Sequence, residues 1–163
     1  DRDFLLVGIK KGVAHLYHGN SATSELVDSF SFDPQMKAKD IAETLSLWLR
    51  PHSRKPDQRN FVAGDKTIIR ALIRLNSKNQ GSLRPLLRNY TEDDVADLIS
   101  DIRNHIQKEV RDAIEVSIME FYWAEEHNLA SKNLFEIAQA AVQGRIRKLI
   151  VADGIHIFGK MQR

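Results

Sequence analysis

Cysteine is absent from the 163 residues, which removes disulfides, thiolate metal ligands and thiol nucleophiles from the chemistry open to the chain and fits a cytoplasmic setting. No apolar run approaches the roughly 18 residues that a membrane-spanning helix needs, and no signal-peptide pattern opens the chain. No two glycines are adjacent, and neither a Gly-rich phosphate loop nor a Gly-x-Ser-x-Gly elbow occurs. The six histidines include no His-x-x-x-His pair, so the commonest helical zinc spacing is missing. Internal repeats and low-complexity segments are missing too. No catalytic residue, metal site or cofactor is therefore expected.

What is present is ordinary in total and uneven in distribution. With 42% hydrophobic residues the chain can bury a real core, and its net charge is only +2. Between Arg50 and Arg88, however, ten basic residues face two acids, a local charge of +8, while from Asn89 to Ala130 eleven acids face three bases, a local charge of −8. Such halves imply opposed faces or mutually attracting segments.

Phe4 to Ile9 and Val13 to Tyr17 read as strands split by Lys10-Lys11-Gly12, a hairpin turn with glycine where positive φ is needed. The first strand is apolar on both faces and so is expected to be central. Ser24 to Phe32 reads as a third strand of a meander. Asp33-Pro34 is expected to open a helix carrying Ile41, Leu45, Trp48 and Leu49 on its buried face and ending near Pro51. Phe61 to Gly64 is a short buried strand. After it, Ile68, Ile69, Leu72, Ile73 and Leu75 line one side of a helix, and Lys66, Arg70, Arg74 and Lys78 fall at spacings of four on another. Leu83 to Leu87 is a brief strand that Pro85 confines to an edge.

Thr91 with Asp94 is expected to open the longest element, since Val95, Leu98, Ile102, Ile106 and their successors hold a 3.6-residue period up to Phe121 and no Gly or Pro intervenes before Asn128. A helix of about 35 residues would be about 50 Å long, long for one small domain. It is therefore expected to run from one domain toward the next, with a boundary near His127 to Lys132. Asn133 and Glu136 then signal a helix ending at Gly144. Leu149 to Val151 follows as an expected buried strand, and Asp153-Gly154 as a hairpin leading to Ile155, Ile157 and Phe158.

Three strands, a helix, a strand, a helix and a closing long helix is the order of the ribonuclease H-like fold. Phe4-Leu-Leu-Val-Gly-Ile, Gly12-Val-Ala-His-Leu-Tyr-His-Gly19, Phe61-Val-Ala-Gly64 and Ala140-Ala-Val-Gln-Gly-Arg-Ile-Arg-Lys-Leu-Ile-Val151 carry a resemblance to bacterial release-factor-like proteins of the archaeo-eukaryotic release factor and Pelota superfamily. The resemblance implies an α/β architecture: residues 1–128 as a ribonuclease H-like middle domain with a mixed sheet and flanking helices, and residues 129–163 as the start of a C-terminal α/β domain similar to kink-turn-binding ribosomal proteins. The chain begins at Asp1 and is expected to be part of a larger polypeptide. Classical factors of this superfamily release the nascent chain with a Gly-Gly-Gln loop. Here the nearest sequence is Asn79-Gln80-Gly81, of the wrong order and in the wrong place, so peptidyl-tRNA hydrolysis is not carried over. Pelota-type members lack the motif as well and act in rescue of stalled ribosomes, which implies the ribosome or structured RNA as partner.

Lys66, Arg70, Arg74 and Lys78, with Arg84 and Arg88, form the leading candidate for binding a polyanion, because cations repeated along a helix can meet successive phosphates. The competing reading is a solvated face neutralised by the acidic helix. No aromatic residue interleaves with the stripe, so base stacking is not supported. Arg145 and Arg147, with Lys148, form a second basic group, equally explained as residues pointing out from a strand edge. Metal-dependent cleavage would need converging carboxylates, yet Phe4 to Ile9 carries no acid, and only Asp1 and Asp3 precede it. His15 and His18 are expected on opposite sides of their strand. Phe121, Tyr122 and Trp123 are read as interdomain packing or a protein-partner surface. Two further functions stand beside RNA binding: a hydrolase of peptidyl-tRNA or another ester, acting through a loop not present here, and a protein–protein adaptor.

Overall fold

Alternation along the first two apolar runs sends successive side chains to opposite sides of a sheet, and the chain builds a core on each side. The computed structural model describes residues 3–53, 58–76, 83–86 and 88–154. Strands β1 (Phe4–Lys10), β2 (Val13–Gly19) and β3 (Ser24–Ser31) form an antiparallel meander, and β4 (Arg59–Gly64) and β5 (Leu83–Pro85) add to the other side of β1 in parallel. The order β3-β2-β1-β4-β5 puts β1 in the centre of a mixed sheet, the position that its two-sided apolar character requires. Gly12 takes the turn between β1 and β2 with φ +83°. Pro85 lies on the edge strand, where a missing amide costs no ladder bond.

The two sides of β1 serve two cores. Leu5, Val7 and Ile9 join Ala14, Leu16 and Val62 beneath helices α1 (Ala38–Leu49) and α2 (Lys66–Asn76). Phe4 and Leu6 join Phe61 and Ala63 beneath the start of α3 (Val95–Glu126), which contributes Leu98, Ile99, Ile102 and Ile106. No buried polar or charged residue interrupts either core among the described residues. Tyr90 seals the second core by lying flat over Gly8, where an added Cβ would stand 2.4 Å from a ring carbon. Only glycine permits that approach.

Two local expectations are corrected by hydrogen bonding. The Asp33 carboxylate accepts from the Gln35 amide at 2.9 Å, and the Asp33 carbonyl accepts from Met36. These bonds close a turn, so α1 starts at Ala38 rather than at Pro34. Thr91 bonds the Asp94 carboxylate instead of a backbone amide, and a 3-10 turn over Glu92–Asp94 precedes α3. That helix runs for 32 residues and ends where Asn128 adopts φ +58° and Leu129 donates back to the Ala124 carbonyl, a left-handed stop of the kind Asn tolerates.

Contacts divide the chain into two compact units, Asp1–Lys108 and Glu109–Arg163, with the division inside α3. In the second unit, α4 (Leu134–Val142) starts as its sequence requires, with Asn133 Oδ1 accepting from the Phe135 amide at 2.9 Å. Glu136 does not reach the Asn133 amide. Ser131 Oγ accepts from that amide at 3.0 Å and itself bonds Glu136. Gly144 closes the helix with φ +66°. The strand expected at Leu149–Val151 is not formed: these residues are irregular and half or more exposed. An apolar run becomes a strand only when another strand takes up its amides and carbonyls, and no such neighbour exists among the described residues. The turn at Asp153-Gly154 is present, while Ile155 to Phe158 lie outside the described residues.

Candidate nucleic-acid interface

Helix α2 is fixed by what it buries. Asp65 Oδ1 accepts from the Thr67 and Ile68 amides at 2.9 and 3.1 Å, capping the helix directly after β4. Ile68, Ile69 and Leu72 then lock one face into the first core. Lys66, Arg70 and Arg74, spaced by four, are left exposed on the outside, about 6 Å apart along the axis. Among the described residues no carboxylate lies in ion-pair range of Lys66 or Arg70. Lys78 lies outside the described residues, as do Asn79, Gln80 and Gly81, on which a hydrolase reading would draw.

Inside the first unit the stripe does not face the acidic helix. Within the first unit, α2 covers one side of the sheet and the Val95–Lys108 part of α3 covers the other. Arg84 and Arg88, expected to extend the stripe, belong to the α3 side. Arg84 stands opposite Phe61 in the β4–β5 register and so shares its side, with Nη1 2.9 Å from His105 Nε2. Arg88 Nε lies 2.9 Å from Asp101, and Nη1 lies 4.0 Å from Asp97. Among the described residues the group thus divides between two sides of the sheet, with Lys66, Arg70 and Arg74 on the α2 side and Arg84 and Arg88 on the α3 side.

Arg145 and Arg147 are exposed in the second unit, beyond α4. Arg145 donates to Gln143 Oε1 at 3.3 Å. Lys148 is paired with Glu120 and, through that bond, holds the Glu120 carboxyl below its ordinary value. With no strand at this point, these cations do not project from a sheet edge. Phe121, Tyr122 and Trp123 differ in exposure. Phe121 is half-buried, whereas Tyr122 and Trp123 are exposed, Trp123 stacked on His127 with ring centroids 4.2 Å apart.

A cluster that no sequence pattern announced sits over the centre of the sheet. Tyr17 and Tyr90 share a hydroxyl–hydroxyl bond of 2.8 Å, His15 Nδ1 lies 2.9 Å from Ser29 Oγ, and Lys10 Nζ donates to Glu92 at 2.7 Å. Burial, and secondarily the bond to Tyr17, pushes the Tyr90 phenol far above its ordinary value, while Lys10 holds the Glu92 carboxyl below its own. His15 Nε2 is buried without a hydrogen bond, 3.3 Å from Glu92. These residues are up to 82 positions apart, and they fasten the segment entering α3 onto the sheet. His18 lies on the other side of β2, 3.8 Å from Asp3, as its spacing from His15 requires. Among the described residues no group of three His, Asp or Glu side chains is placed to hold a metal ion, and no helix is long and apolar enough to cross a membrane.

Comparison with known proteins bears on the architecture. No protein-family model and no curated protein matches the chain. Among solved structures, Pelota from Archaeoglobus fulgidus superposes with a TM-score of 0.58 at 14% identity, over 88% of this chain and 46% of that one. Dom34 from S. cerevisiae, described as a translation termination-like factor involved in RNA quality control pathways and interacting with Hbs1, superposes with a TM-score of 0.51 at 13% identity, over 86% of this chain and 45% of that one. The chain spans less than half the length of either protein. At this level of identity the likeness is one of fold: a Pelota-like α/β architecture built on a mixed five-stranded sheet with flanking helices.

Proposed function

We propose that the chain is a non-enzymatic, release-factor-like RNA-binding module of bacterial type, associated with the ribosome in termination or rescue and lacking the Gly-Gly-Gln hydrolysis motif. In this reading residues 1–128 form the middle domain, residues 129–163 begin the C-terminal α/β domain, and the protein works in the cytoplasm. The observation that carries it is the outward stripe of Lys66, Arg70 and Arg74 on a helix whose other face is locked into the core. The likeness in fold to Pelota and to Dom34, a translation termination-like factor involved in RNA quality control, supports the choice of RNA over other polyanions. By its spacing in the sequence Lys78 belongs with the stripe, and Arg145 and Arg147 supply a second contact region. Arg84 and Arg88, engaged with His105, Asp97 and Asp101, contribute less.

Without aromatic residues in the stripe, recognition runs through phosphates and shape, with little dependence on base sequence. Filter binding of a structured ribosomal RNA fragment over a salt titration tests the assignment. The double substitution Arg70→Glu/Arg74→Glu should weaken binding and lower the slope of log affinity against log salt by about 1.5–2, the loss expected for two phosphate contacts. Affinity that ignores salt, or that the double substitution leaves intact, removes the interface.

A further inference from the structure

The distal half of α3 carries a surface that RNA binding does not use. From Glu109 to Glu126 six acids stand against the single base Arg111, and the same stretch exposes large apolar side chains. At 100° per residue they form two neighbouring rows. Ile114, Ile118 and Tyr122 make one; Val116, Met119 and Trp123 make the other, with Met119 72% and Trp123 58% exposed. Asp112, Glu115 and Glu126 project between and beside the rows. Rows of large apolar side chains on one flank of a helix are normally covered, and where they stand exposed within a polar frame they mark an interaction site.

We infer that this face docks a cationic amphipathic helix of a partner protein. Charge decides among occupants. A second copy laid along the same face would bring Asp112, Glu115 and Glu126 of both copies into one interface, and like charges across an interface are strongly unfavourable. A phosphate backbone or anionic lipid surface is repelled for the same reason. A helix with Leu-like residues at i, i+3 and i+4 and Lys or Arg flanking them fills both rows and neutralises the acids, the helix-in-groove mode of recognition. The chain already displays this chemistry within its second unit: Lys132 Nζ lies 5.3 Å from the Tyr122 ring centroid and 3.2 Å from the Glu125 carboxylate, pairing one cation with both an aromatic face and an acid.

The test uses the 163-residue chain and two fluorescent helical peptides of matched length, one built from Leu and Lys and one from Leu and Glu, with binding read by anisotropy. The Leu/Lys peptide binds and the Leu/Glu peptide does not. Met119→Ser/Trp123→Ser, both at exposed positions, weakens the Leu/Lys peptide by roughly tenfold or more, as removal of an aromatic anchor does. Glu115→Lys/Glu126→Lys reverses the preference between the peptides, which generic stickiness would not do, while circular dichroism shows an unchanged helix content. Equal binding of both peptides, or a preference that survives charge reversal, overturns the proposal. So does sedimentation as a dimer that Met119→Ser/Trp123→Ser dissolves, since the occupant is then a second copy.

Discussion

From Leu98 to Ile106 the four large apolar residues that α3 turns to the sheet are 5% exposed or less, and from Ile114 to Trp123 the large apolar residues of the same helix, half-buried Phe121 aside, are 40–72% exposed. Sequence period and helix propensity do not separate these stretches. What separates them is the presence of a complementary surface: Phe4, Leu6, Phe61 and Tyr90 wait for the first, and nothing of that kind meets the second among the described residues. A helical pattern therefore specifies a face to be covered, and the identity of the cover is a separate fact. All the buried hydrophobic residues of the described chain lie between Phe4 and Ile106, so stability is concentrated in the first unit, while most of the exposed large apolar side chains lie in the second.

The sharpest way to break this contrast is to truncate one residue of each kind. Leu98→Ala removes a fully buried side chain and should cost about 2–5 kcal/mol in urea-induced unfolding. Met119→Ala should change stability by less than about 0.5 kcal/mol. Comparable effects at the two sites would mean that the distal half is covered in solution. Gly8→Ala comes next, because its new methyl group collides with Tyr90. A loss of about 1–3 kcal/mol is expected from overpacking, and combining it with Tyr90→Ala should cost less than the sum of the two single changes. In the same unit Arg70→Glu/Arg74→Glu should leave stability within about 0.5 kcal/mol while reducing RNA affinity roughly tenfold at low salt. The gentlest test is Lys10→Met. Because Lys10 depresses the folded-state value of Glu92 below its ordinary 4.5, that pair contributes stability above this pH and loses it as the medium is acidified through the folded value. The substitution should flatten that part of the stability profile, and an unchanged profile would show the pair to be energetically idle.

Much of the sheet was legible in the sequence because its signals are local. Two-sided apolarity made β1 central, Pro85 placed β5 at an edge, and Gly12, Asn128 and Gly144 marked true stops and turns. The stripe on α2 was legible for the same reason, since a spacing of four needs no knowledge of the rest of the chain. Arg84 and Arg88 follow that stripe in sequence but not in space. Their side of the sheet is set by the register of Arg84 against Phe61 and by carboxylates on α3, neither of which is a local signal. The same distance hid the cluster linking Tyr17, Tyr90, His15 and Glu92. Leu149 to Val151 failed for a third reason: β-propensity can nominate a strand, but only a second strand can complete it.

Tyr90 resting on Gly8 has a meaning for engineering. Over the middle strand the ring is a removable stopper, and shaving it to alanine would leave a phenol-shaped hollow with main chain as its floor and the Tyr17 hydroxyl at its rim. A scaffold with no evident receptor would then hold a ready-made berth for a small aromatic guest.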